Sequence, residues 1–184
     1  MIGVILLFVV ILATGTKIES VDEYYLNHME NITEDSQTVT ISIRCDTILD
    51  NWDKLDEQLR DEKYVPSDGV ILPETTYVLW PGDTVFDLLN RTCRYNKIQM
   101  EYQGIENNVY GSAYIKGINY LYEFSCGRLS GWMFRVNGEY PGKGCSSYEL
   151  KDKDKVEWVY TCDLGKDVGD DYESKSKQKE EKER

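Results

Sequence analysis

Several short runs of this chain alternate apolar and polar residues. In "TVTISIRC", Val39, Ile41, Ile43 and Cys45 stand against Thr40, Ser42 and Arg44, the period of a strand with one buried face. "KVEWVYTC" repeats the pattern with Val156, Trp158, Tyr160 and Cys162, and "SGWMFRVNG" repeats it with Trp132, Phe134 and Val136. Asn137-Gly138 supplies two residues that tolerate positive φ, which predicts a type I′ turn and a short hairpin returning through Glu139 and Tyr140 before Pro141-Gly142 ends it. "GVILPETTYVLW", "IQMEYQ", "GSAYIKGI" and "NYLYEF" are further strand candidates. Helical period appears after Thr84, where Val85, Leu88, Leu89 and Cys93 form one stripe behind a Thr84–Asp87 capping box. Leu49, Trp52 and Leu55 suggest a shorter amphipathic helix. The order strand, strand, helix, strands predicts an α+β fold, a β-grasp-like mixed sheet with one helix packed across it. Its first and last strands should be parallel neighbours.

Patterning fails at both ends. Ile2 to Ala13 is apolar for twelve residues, the length of a secretory h-region and short of the ~20 that span a bilayer. With Ala13 and Gly15 at the small positions of a cleavage site, residues 1–15 read as a signal peptide cut before Thr16. The rival reading is an uncleaved anchor, the one membrane contact expected. Either way the domain is exported, secreted or held at the cell surface. Residues 16–37 are polar and aperiodic, a flexible spacer, and residues 169–184 a charged disordered tail. The domain itself should occupy residues 38–168.

A net charge of −12 repels phosphate backbones and argues against nucleic acid. "PGKGCSS" lacks phosphate-loop spacing. His28, the only histidine, lies in the expected spacer, and no two cysteines have Cys-x-x-Cys spacing, so neither a zinc site nor a Cys-His nucleophile assembles. Asp163, Asp167 and Asp170 match no calcium loop and read as an acidic exit to the tail. These exclusions leave no enzyme and no metal. Five cysteines in an exported chain predict disulfides with one thiol left over. Matching strand-end parity suggests Cys45–Cys162, and Cys126 and Cys145 bracket the hairpin. Cys93, on the helical stripe, is the odd thiol.

"GVIL", "PGDTVFDLLNRTC", "SAYIKGINYLYEF", "CGRLSGWMFRVNG" and "YELKDKDKVEWVYTCDLGKDVG" together resemble a family of exported bacterial domains of unknown function, grouped with the transcobalamin-like C-terminal domain. The likeness covers about residues 38–169. One departure is Lys153-Asp154, where the family usually has Gly-Asp in the turn before its last strand. The resemblance implies a β-grasp-like fold and a ligand-binding role, since in cobalamin carriers the corresponding domain covers one face of a corrinoid while a helical domain holds the other. It implies cobalamin or a related corrinoid as ligand and Trp132 as the ring that stacks on it. Tyr120, Tyr122 and Tyr140 would enlarge the aromatic surface. Against this stands the plainer reading that Trp132, Phe134 and Val136 fill a core. The alternative function is a structural or adhesive module that pairs with a surface protein through an exposed sheet edge.

Overall fold

The alternation around Ile41 becomes strand β1 (Thr38–Arg44), within a computed structural model that describes residues 19–104, 106 and 111–170. Helix α1 (Val21–Asn27) precedes it. Strand β2 (Val70–Val78), helix α2 (Val85–Asn96), and strands β3 (Met100–Gln103), β4 (Tyr114–Ile118), β5 (Leu121–Tyr122), β6 (Gly131–Val136) and β7 (Lys155–Thr161) follow. Short 3₁₀ turns lie at Asp46–Lys54, Glu57–Leu59, Cys145–Ser147 and Lys166–Val168. A four-stranded sheet has the order β2-β1-β7-β6, and a three-stranded one the order β3-β4-β5. At the centre of the larger sheet β1 and β7 run parallel, with Ile41 opposite Val156 and Ile43 opposite Trp158. A parallel pair needs a long crossover, which the rest of the domain supplies.

Burial explains this register. Val39, Ile41, Ile43, Val156 and Trp158 meet Val85, Leu88, Leu89 and Cys93 of α2, all buried. Each fully buried Val or Leu contributes roughly 1.5–3 kcal/mol, and a one-residue slip of a central strand would turn its whole set to the other face. α2 starts where expected: Thr84 Oγ1 accepts the Asp87 N–H, and the Asp87 carboxylate accepts the Thr84 N–H. Further along the same strands a second buried cluster gathers Cys45, Ile48, Leu55, Val65, Leu121, Cys126, Tyr160 and Cys162.

Some expectations change. The stretch expected as a spacer is structured over its described part, because Met29 is buried in the main core and its carbonyl accepts the Val78 N–H. α1 is capped by a Ser20–Glu23 capping box, and Tyr25 stacks on Trp80 at 4.3 Å. The segment with Leu49 and Trp52 is 3₁₀, broken at Asn51, rather than α-helical. Asn137 (φ 53) and Gly138 (φ 81) make the expected turn, yet the return strand is a single bridge from Val136 to Glu139, since β6 pairs with β7. In the turn before β7, Lys153 takes φ 69, a conformation that glycine would hold without strain. The expected signal peptide, residues 1–15, and the expected tail from residue 171 onward lie outside the described residues.

All five cysteines are free thiols. The parallel register sets Arg44 opposite Val159, which leaves Cys45 level with Tyr160 and two residues short of Cys162. That offset is too great for the expected Cys45–Cys162 bridge. Cys126 and Cys145 belong to different buried clusters, and the Cys145 thiol donates to the Ala113 carbonyl at 3.2 Å. The expected Cys126–Cys145 bridge is therefore not formed either. Cys93 is buried on the α2 stripe, and burial raises its thiol pKa to about 12.

Candidate functional site

Ile118 pairs with Leu121, so β4 and β5 are joined by only Asn119 and Tyr120, with φ 52 and 65. Such a turn needs both residues left-handed, and for a tyrosine that costs roughly 1–2 kcal/mol. Polar contacts hold it there. The Asn119 side-chain amide donates to the Tyr64 carbonyl at 2.9 Å, and the Tyr120 N–H donates to Gln99 Oε1 at 2.7 Å. The Tyr120 ring is thereby presented to solvent, 46% exposed, edge-on to Tyr64 at 5.6 Å, with Lys63 Nζ 5.0 Å from the Tyr64 ring centre.

A second aromatic residue is held the same way. Phe124 has φ 69 and is 61% exposed, its N–H donating to the Ser130 carbonyl. Tyr122, between the two, packs against Gly117 so closely that a Cβ there would stand 2.7 Å from its Cδ1. Its hydroxyl donates to the Glu101 carboxylate at 3.1 Å and accepts from the Gln99 amide at 3.0 Å. Desolvation, with the hydrogen bond to Glu101 second, raises the Tyr122 phenol above its ordinary pKa. Tyr64, Tyr120, Tyr122 and Phe124 line an open cleft of about 770 Å³, whose other walls include Asp56, Glu57, Gln58 and Glu123. A smaller groove of about 260 Å³ shares Glu123 and Phe124 and runs on past Leu129 and Trp132 to Leu164. The cleft offers flat aromatic surface and carboxylate acceptors. Among the described residues, no group of three or more His, Cys, Asp or Glu is placed to hold a metal ion.

The structure brings Tyr120 and Tyr122 into one cleft, places Trp132 in the adjoining groove and sets Tyr140 elsewhere. Trp132 lines the smaller groove, but its indole N–H donates to the Leu121 carbonyl at 2.7 Å and its ring packs edge-on against Tyr160 at 5.2 Å. It joins the two buried clusters as much as it faces outward. Tyr140 lies apart, donating to the Val168 carbonyl at 2.8 Å. Asp167 caps the end of β7, accepting from the Thr161 hydroxyl and the Cys162 N–H. Tyr64 and Phe124 were not expected. No pattern in the sequence marks either of them, because Tyr64 reaches the cleft through the Asn119 contact and Phe124 through its backbone conformation.

Residues 82–162, from the turn before α2 to the end of β7, match the family described as "Domain of unknown function (DUF4430)". Among curated proteins none matches the chain. Solved structures that are similar in part include the following two. One is haptocorrin in complex with Cbi, with a TM-score of 0.45 and 14% identity over 72% of this chain and 27% of that one. The other is a candidate metal-binding protein from Ruminococcus gnavus ATCC 29149, with a TM-score of 0.41 and 12% identity over 68% of this chain and 96% of that one. This chain therefore spans little more than a quarter of the haptocorrin chain.

Proposed function

We propose that this chain is an exported, non-enzymatic binding module that holds a flat, amide-fringed ligand of the corrinoid class in the cleft of Tyr64, Tyr120, Tyr122 and Phe124. The observation that carries this reading is the placement of Tyr120 and Phe124, two bulky residues in left-handed conformations with rings turned to solvent. Strain of this kind persists where the surroundings enforce it, and a buried ring would offset it by packing. Polar contacts hold the two backbones in place, and the rings, 46% and 61% exposed, leave flat apolar surface on which a ligand can stack. Asp56, Glu57 and Glu123 at the rim suit a ligand fringed with amide N–H donors and repel an anionic one. An open cleft touches only one face of a planar ligand, so affinity should be modest unless a partner covers the other. Pairing through a sheet edge has less support at β2, one of the two outer strands of the larger sheet, where Pro73 lacks an N–H to donate.

Calorimetric titration of the purified chain with cyanocobalamin and dicyanocobinamide tests the reading. Saturable heat is expected, weakened about tenfold or more by Tyr120→Ala and by Phe124→Gly. No saturation with either corrinoid, or equal affinity in both variants, overturns it. Export is tested separately by the mass of the recovered chain, which should begin at Thr16.

A further inference from the structure

Cys126 lies in the loop between β5 and β6, and Cys162 directly follows β7. Their sulfurs hang over one turn, Asp46–Lys54. Cys126 Sγ is 3.5 Å from the Asn51 carbonyl, Cys162 Sγ is 3.7 Å from Thr47 Oγ1, and the Asn51 side-chain amide donates to the Thr47 carbonyl at 2.9 Å. Both cysteines belong to the same buried cluster. Their backbones are fixed: the Cys126 N–H donates to Ser130 Oγ at 3.0 Å, and the Cys162 N–H to the Asp167 carboxylate at 2.7 Å. Both side chains, though buried, line a groove of about 480 Å³ with Asn51, Lys54 and Asp163, the side from which a small reagent approaches them. Interaction with Cys162, with the Lys54 charge behind it, lowers the Cys126 pKa; the same interaction and burial raise that of Cys162. Cys126 is thus the first to become a thiolate. Cys45, in the same cluster, does not line this groove, and its thiol is pushed up to about 12 by burial and by Asp46 and Asp68.

We propose that Cys126 and Cys162 are a redox pair that closes to a disulfide when the chain meets a disulfide oxidant, fastening the Phe124 loop to the end of β7. Cys126 thiolate attacks one sulfur of the donor disulfide, forming a mixed disulfide and releasing the first donor thiolate. Cys162, deprotonated in turn, attacks the Cys126 sulfur and releases the second. The two cysteine protons end on the two donor thiols, so the pair is oxidised by two electrons and the donor reduced by two.

The test uses the full reduced chain incubated with oxidised glutathione, quenched with an alkylating agent and digested for peptide mapping. The expected product keeps Cys45, Cys93 and Cys145 alkylated and joins the Cys126 and Cys162 peptides, with a melting temperature roughly 5–10 °C above the reduced chain. Five alkylated thiols, glutathione retained on either cysteine of the wild-type chain, or a crosslink to any other cysteine overturns the proposal. Cys45→Ser should still close. Cys126→Ser and Cys162→Ser should each lose the thermal gain, and a gain that survives in either variant also overturns it. None of these readouts depends on the ligand or on export.

Discussion

Phe124 separates stability from binding at a single position. Glycine there relieves left-handed strain of about 1–2 kcal/mol and adds backbone freedom worth about 0.5–1 kcal/mol, so the two changes nearly cancel. Phe124→Gly should melt within about 1 kcal/mol of the parent in urea while its corrinoid titration weakens; a much larger loss of stability would mean that the ring is packed rather than presented. Asp152 carries a pH prediction. Its carboxylate accepts the Thr38 N–H at 2.7 Å, and this bond first, with Lys153 nearby, holds its pKa below the ordinary value. A depressed folded pKa means the stabilisation is present above the unfolded value near ~3.9 and is lost as pH falls through the lower folded one. Asp152→Asn keeps an acceptor and removes the titration, so its stability should fall less steeply below about pH 4 in acid melts. Neither residue announced its role in the sequence. "NYLYEF" reads as unbroken alternation, and no residue type marks Phe124 as left-handed, whereas Asn137-Gly138 does mark its turn.

Elements were legible where their cause is local. α2 has its cap and its stripe within thirteen residues, and the structure keeps both. The buried alternation of β1 and β7 is visible in single octets, but how far along each other the two strands lie is not, which is why parity alone misplaced Cys45 relative to Cys162. Met29 shows the same limit: its surroundings are polar in sequence, and the core it enters is built by residues far away. The β4–β5 hairpin yields the prediction at this scale. Gly117→Ala places a methyl 2.7 Å from the Tyr122 ring, forcing the ring off its bonds to Glu101 and Gln99. A cost of about 1–3 kcal/mol is expected in denaturant melts, with weaker corrinoid binding in the same variant. Unchanged stability would show that the ring tilts away freely.

For the whole molecule the decisive pairing is that of β1 with β7, the two ends of the domain. It was expected from the order of elements, and it makes the fold intolerant of shortening. A chain ending at Asp154 lacks the strand that separates β1 from β6 and should show no cooperative transition by circular dichroism; a sharp melt would mean that the remaining sheets stabilise each other without it. The same pairing governs when the domain can fold. During synthesis β1 emerges early and waits, with only β2 to pair with, until residues 155–161 have been made. Closing so long a loop is slow, and before it closes the nascent chain has no complete core. A chain bound for a narrow protein-conducting pore must stay thread-like until it is nearly through. For the export proposed above, the topology of the sheet would itself supply that delay.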